Sequence, residues 1–266
     1  MLTLYHGKTS VCSAKVRLCL AEIGCDWSGK IVDLAKGEQN ATWYLSFNPK
    51  AVVPTLVDDD LVVTESAVIL EYLVKKFDAG NLRPTDPHAW VTAKMWLAEC
   101  RDIHAAINSL TYAIGKRRKI LSTKSADEIA ASLARMANPA NASKRRDILE
   151  HGVDSEHVAA ACFTLRLMFD KMHSALAQGE WLLGAHYSLA DTALLSYVDR
   201  LDRLGLSGLW DKRTPLVQRW LGQSRQRASY SLAIEDFAGS AEGDRKAATA
   251  AENWTLLAPK WAAASG

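Results

Sequence analysis

Every strand-like run of this chain precedes residue 78, and from His88 to about Phe237 only helical periodicity is found. This change of period constrains the fold more than any motif, because side chains alternate every two residues in a strand and every 3.6 in a helix. The boundary is DAGNLRPTDP at 78–87, a linker by its Gly, Pro and Asp content. Ahead of it, LTLY (2–5) is apolar and β-prone. In VCSAKVRLCLAEIG, Val16, Cys19, Leu20 and Ile23 fall at i, i+3, i+4 and i+7, which predicts a helix with one buried stripe and Gly24 as its C-cap. KIVDL (30–34) reads as a strand and GEQNATWYLSFNP as an irregular helical connection. PTLVDDDLVV reads as a hairpin turning at Asp58-Asp59-Asp60. SAVILEYLVKKF places Ile69, Tyr72, Leu73 and Lys76 on one helix face. The predicted order is β-α-β-α-β-β-α.

Behind the linker, WVTAKMWLAECRDIHAAINSLTYAI and HVAAACFTLRLMFDKMHSAL are long helices with one apolar face. The segment between them carries two basic clusters, KRRK at 116–119 and KRR at 144–146, and the loop signal NPANAS. HYSLADTALL (186–195) holds a capping box, Ser188 with Asp191, and Tyr187 in position to staple the helix that follows. The tail opens with GSAEGDRK, a flexible composition, and then carries Trp254, Leu256, Leu257 and Trp261. The expected division is 1–80, 88–237 with an insertion at about 115–152, and a C-terminal extension at 238–266.

Composition excludes several function classes. A net charge of +2 asks for neither nucleic acid nor a membrane surface, and no apolar run approaches the ~20 residues of a membrane span. The basic clusters, without interleaved aromatics, read as solvated helix faces. Five scattered cysteines with no CxxC pair, and no signal-peptide pattern, fit reduced thiols in a cytoplasmic protein. Seven histidines without HExxH spacing give no expectation of a metal.

Five motifs occur in order: LTLY followed by S-x-C-S-x-K-V-R, GEQ…NP, VPTL, TES before an apolar helix, and SLADTALL. Together they resemble the glutathione transferase superfamily over roughly residues 1–236. The resemblance implies an α/β thioredoxin-like N-terminal domain followed by an all-α helical-bundle domain. It implies glutathione as substrate or cofactor, and a small aromatic electrophile as second substrate. It also implies a dimer, either with itself or with a related chain. The basic insertion is similar to that of bacterial β-etherase-type members, which cleave aryl ethers of lignin-derived compounds.

Such an enzyme must stabilise a thiolate. A thiol of pKa about 8.5 is mostly protonated at neutral pH, and lowering it by two units needs roughly 2.7 kcal/mol of preference for the anion. Ser10, Cys12 and Ser13 all sit at the start of the first helix, where a hydroxyl and the helix dipole act together. Resemblance to serine-type members makes Ser10 the leading donor. Members with a Cys-Ser pair bring forward Cys12 and Ser13, with Cys12 able to form mixed disulfides. Ser10 or Ser13 could equally cap the helix and nothing more. The resemblance further implies that Val53-Pro54 is cis and presents backbone to the tripeptide. In NPKAVVP, Ala51 stands where the family has glycine and Val52 where a polar residue is common. Glu65 and Ser66, at a helix N-terminus, suit the γ-glutamyl end, although an N-cap with an acid beside it would look identical. Gln39 and Lys50 match positions near the glycyl carboxylate. Trp90, Trp96, His104 and Tyr112 are either lining for the second substrate or core. Trp254 and Trp261 either cover the site or meet a partner.

The expected reaction is attack of bound glutathione thiolate on an electrophilic carbon, including that of a β-aryl ether. Its rivals are a general detoxifying transferase, a glutathione-dependent isomerase, and a non-catalytic binding or assembly subunit, the last favoured by Ala51 and Val52.

Overall fold

The computed structural model describes residues 1–210, 212–239 and 247–264. Apart from Gly239, the GSAEGDRK run lies outside them. Strand β1 (Leu2–His6) leads into helix α1 (Val11–Ile23), then strand β2 (Ser28–Ile31) and the short helix α2 (Thr42–Leu45). The hairpin β3 (Thr55–Asp58) and β4 (Leu61–Thr64) follows, and then helix α3 (Ser66–Lys76). The sheet order is β2-β1-β3-β4. β1 runs parallel to β2, pairing Thr3 with Ser28, and antiparallel to β3, pairing Tyr5 with Thr55. β3 and β4 pair antiparallel across the aspartate turn.

Period-two alternation decides how β1 faces. Leu2, Leu4 and His6 are buried, while the half-buried Tyr5 turns its ring onto Phe47, centroids 4.9 Å apart. Tyr5 is therefore part of an aromatic cluster with Trp43 and Tyr44. Two expectations for this half are corrected. The second strand starts at Ser28 and stops at Ile31, because Asp33 Oδ1 accepts from the Ala35 and Lys36 N–H groups and bends the chain away from the sheet. Helix α1 has no single stripe: residues 13–20 are all buried, since α3 meets one side and the helical half of the chain the other.

That half is built on α4 (Pro87–Leu110), α8 (Glu156–Leu176) and α9 (Leu189–Arg203), with α10 (Leu216–Arg225) against α8 and α9. Between α4 and α8 lie α5 (Arg117–Thr123), α6 (Ala126–Ala134) and α7 (Pro139–His151). NPANAS is a helix start and not a loop: the Asn138 side chain caps Ala140 and Asn141 N–H, and Pro139 occupies the first turn, where no N–H is needed. The Ser188–Asp191 capping box is present, and the buried Asp191 carboxylate also accepts from Leu182 N–H and from Trp220 Nε1, at 3.0 and 2.8 Å. Burial of each large aliphatic side chain in this core is worth ~1.5–3 kcal/mol.

The basic clusters are not simply solvated. Lys116, Arg118, Lys119 and Arg146 are exposed, but Arg117 Nε donates to Leu149 O and Lys144 Nζ to Ala105 O, both at 2.9 Å. Leu149 lies in the last turn of α7, where backbone carbonyls attract a cation. The C-terminal helix Ala247–Ala263 packs on α8, with Trp261 at the Phe169 ring and Arg166 donating to Trp261 O at 2.5 Å. Trp254 sits against Gly208, where a β-carbon would strike its ring. Among the described residues no helix is long and apolar enough to cross a membrane, and no cluster of potential metal ligands occurs.

Candidate functional site

The loop Gly7–Ser10 delivers the chain into α1. Its carbonyls are held by arginines: Arg17 Nη1 and Nη2 donate to Gly7 O and Lys8 O, each at 3.3 Å, and Arg200 Nη2 donates to Thr9 O at 2.6 Å. Arg17 is buried and also donates from Nε to Ala233 O at 2.8 Å, with Phe237 stacked 4.0 Å from its guanidinium. Ser13 is fully buried and its hydroxyl accepts from Gly7 N–H at 3.1 Å. Ser10 is the N-cap: its hydroxyl accepts from Ser13 N–H at 3.3 Å, which leaves its own proton available to donate.

Cys12, half-buried in the first turn of α1, has a more developed environment than either serine. Its Sγ lies 3.3 Å from Nδ1 of His104, which projects from the middle of α4. Lys15, one turn along α1 and fully buried, donates from Nζ to the Tyr197 hydroxyl at 2.7 Å and sits 4.3 Å from that ring's centroid. The Tyr197 hydroxyl is itself 3.9 Å from Cys12 Sγ. Burial by itself would raise the thiol, but the His104 charge and hydrogen bond, the Lys15 charge and the Ser66 hydroxyl together lower Cys12 to about 6. Burial depresses His104, yet the neighbouring thiolate overrides it and raises the imidazole. Cys12 and His104 are thus arranged as a thiolate–imidazolium pair, with Lys15 behind it. The other thiols go the other way: burial raises Cys19, Cys25, Cys100 and Cys162.

Ser66 opens α3, and its hydroxyl is the smallest of the influences that lower Cys12. Glu65, at a φ of 67°, is exposed and its carboxylate pairs with Lys50 Nζ at 2.5 Å. Gln39 lies on the 3₁₀ turn Glu38–Asn40, its Oε1 buried without a partner. The Val53–Pro54 peptide is cis. The Val52 carbonyl is taken by Tyr44 Oη and Asn48 Nδ2, at 2.6 and 2.9 Å, while the Val52 side chain is exposed. Ala51 adopts a φ of 54°, a left-handed conformation that glycine enters without strain.

Of the four aromatic candidates, Trp96 is core and Trp90 lies under Arg83. His104 faces the thiol, and Tyr112 sits half-buried in the π-helical segment Thr111–Lys116 that continues α4. Sequence reasoning did not pair His104 with Cys12, nor bring in Lys15 and Tyr197. The spacing Cys12-x-x-Lys15 was the one available signal, because it puts a cation one turn below a thiol at a helix start.

A thioredoxin-like sheet domain, an all-helical domain, and a thiol site where the first helix faces the second domain define the class: a glutathione-transferase-type fold. Residues 9–76 match the glutathione S-transferase N-terminal domain model, and residues 156–223 match the C-terminal one. Tetrachloro-p-hydroquinone reductive dehalogenase of Sphingobium chlorophenolicum is 30% identical over 241 residues, covering 87% of this chain and 95% of that protein. Protein LigF of Sphingobium sp. strain SYK-6 is 26% identical over 242 residues, 88% of this chain and 93% of that one. The crystal structure of β-etherase LigF superposes with a TM-score of 0.78 at 27% identity, covering 88% of this chain and 99% of that one. A glutathione transferase homologue from Sulfitobacter with bound glutathione gives a TM-score of 0.64 at 25% identity, covering 89% and 97%. The chain belongs to the glutathione S-transferase family.

Proposed function

We propose that this protein joins glutathione to an electrophilic carbon of a small aromatic substrate, and that Cys12 can then take over the glutathionyl sulfur. The observation that carries this reading is the Cys12 thiolate held 3.3 Å from His104 at the start of α1. Glutathione would lie extended along Val53, whose amide and carbonyl have no partner among the described residues. Its γ-glutamyl end would meet Ser66 and Glu65, and its glycyl carboxylate would approach Gln39 and Lys50. Ser10 supplies its unspent hydroxyl proton to the glutathione sulfur. Ser13, facing inward onto Gly7, holds the loop.

In the first step the glutathione thiolate forms a C–S bond as halide or aryl oxide leaves with the bonding pair. An aryl oxide takes its proton from the His104 imidazolium or from water. In the second step Cys12 attacks the thioether sulfur: an S–S bond forms, the C–S bond breaks, and the carbon leaves with the pair and is protonated. That carbon must be next to a carbonyl or an equivalent group able to hold the carbanion. A second glutathione then frees Cys12 as glutathione disulfide, so substrate is reduced while two thiols are oxidised.

The relative named a reductive dehalogenase supports the two-step form. The likeness to β-etherase LigF supports a β-aryl ether as the electrophile, with the reaction ending at the thioether. A dimer is the proposed assembly: Leu61 and Val62 of β4, Val68 of α3, and Val91 and Met95 one turn apart on α4 are exposed apolar side chains on consecutive elements. The reading places the protein in the cytoplasm.

Mass spectrometry of protein treated with substrate and glutathione tests the chemistry. Wild-type protein should carry one glutathionyl group on Cys12, and Cys12→Ser should accumulate the thioether without releasing reduced product. Equal release by Cys12→Ser would sink the cysteine step. Calorimetry showing no binding of millimolar glutathione would sink the enzyme readings and favour a binding subunit.

A further inference from the structure

The two basic clusters converge on one aromatic ring, Tyr112, about two helical turns beyond His104. Arg145 of α7 lies 3.9 Å from the centroid of Tyr112, and Lys116 lies 4.9 Å from the same centroid. Lys144, next to Arg145, is bonded to Ala105 O of α4, adjacent in sequence to His104. None of Lys116, Lys144 and Arg145 meets a carboxylate among the described residues. Arg200, which holds the loop at Thr9, adds its charge at Lys116. Desolvation, then Arg200 and Arg145, lower the Lys116 ammonium, and desolvation lowers Lys144 and Arg145.

Such a grouping opposes folding unless something compensates. Like charges repel, and partly desolvated cations lose hydration. Elsewhere inward arginines meet acids, as Arg225 does at Asp199 and Asp202 and Arg227 at Glu22, or backbone carbonyls, as the buried Arg17 and Arg166 do. Around Tyr112, Lys116, Lys144 and Arg145 gather at an aromatic face, and among the described residues none of the three is ion-paired to an acid. The π-helical turn that carries Tyr112 and Lys116 is the kind of interruption found at functional sites.

We propose that Tyr112, Lys116, Lys144 and Arg145 form the seat of the second substrate, and that this substrate is an aromatic anion, an aryl carboxylate or phenolate. The ring packs on Tyr112, and the anionic group reaches the arginine and lysine heads. The electrophilic carbon then points past His104 toward the sulfur. This rests on the glutathione-transferase reading above and names the substrate class of that site.

Calorimetry with two conjugates separates the proposal from the reading beneath it. S-(4-carboxybenzyl)glutathione and S-benzylglutathione share the tripeptide and differ only in the aryl carboxylate. The carboxylated conjugate should bind about tenfold more tightly, the ratio that one charge-assisted hydrogen bond supplies. Added salt should narrow that ratio. Arg145→Gln, with Lys116→Gln as an independent variant, should bring the ratio toward one. Arg146→Gln, in the same run but exposed, should leave it in place. Equal affinities in the wild-type protein overturn the proposal. So does a variant that weakens both conjugates by one factor, because the cations would then serve the tripeptide. Absence of binding by either conjugate removes the glutathione reading itself, and this proposal with it.

Discussion

The Cys12–His104 pair makes a prediction whose sign changes with pH. Cys12 titrates at about 6, so at pH 6.5 about three-quarters of it is thiolate. In His104→Gln the imidazolium is gone, burial of the sulfur persists and only Lys15 and Ser66 still oppose it, so the midpoint should rise toward about 8.5. At pH 6.5 the thiolate fraction then falls to about one per cent, a loss of roughly 75-fold. A more basic thiolate is also the better nucleophile. With a Brønsted slope near 0.45, a rise of 2.5 units gains about 13-fold per thiolate. Exchange with a neutral disulfide probe should therefore slow only about sixfold at pH 6.5 and become about tenfold faster at pH 9.5. The rate–pH curves of the two proteins must cross. The assay is clean because burial raises the other four thiols, leaving Cys12 as the reactive one in acid, and Cys12→Ser supplies the baseline. A wild-type midpoint at 8 or higher, or curves that shift together without crossing, would refute the pairing.

Two further outcomes concern stability. Ala51→Gly should stabilise the fold by about 0.5–1 kcal/mol in urea denaturation, because the left-handed strain at φ 54° costs more than the glycine loses in the unfolded chain; a destabilised variant contradicts the local reading. His6 is buried and accepts at Nδ1 from Arg17, so burial first and the guanidinium second depress it to about 4. Its neutral form supports the fold fully above the unfolded value near 6.5, and that support drains as pH falls through 4, by about 3 kcal/mol in all. His6→Asn should flatten the acid limb of a stability–pH curve, and an unchanged slope would disprove the assignment.

The sheet half was legible because its signals are local: alternation in β1, the aspartate turn and Gly24 as C-cap; in the helical half Ser188 with Asp191 was legible for the same reason. α1 departed from its stripe because tertiary contacts bury it from both sides, which periodicity over 13 residues cannot report. NPANAS was misleading because Asn-Pro ends one helix and begins another with equal ease. The candidates at the start of α1 were visible from position alone. What separates them is where the hydroxyls and sulfur point: Ser13 inward to Gly7, Ser10 onto the helix end, Cys12 toward His104. That last contact joins residues 92 apart, beyond any short motif. Likewise, the basic clusters looked solvated because a run of lysine and arginine records charge and not direction.

The arginines that grip Gly7, Lys8 and Thr9 have an evolutionary consequence. Arg17 fastens the loop from within the sheet half and ties it to Ala233, while Arg200 fastens it from the helical half. The two halves therefore cannot hinge apart at the thiol without breaking those bonds. Helices α5–α7 lie between α4 and α8 in the chain, and α7 carries Lys144 and Arg145. If α7 seats the second substrate as proposed, exchanging α5–α7 alone should change the substrate range while the contacts of Arg17, Arg200 and Cys12 stay as they are.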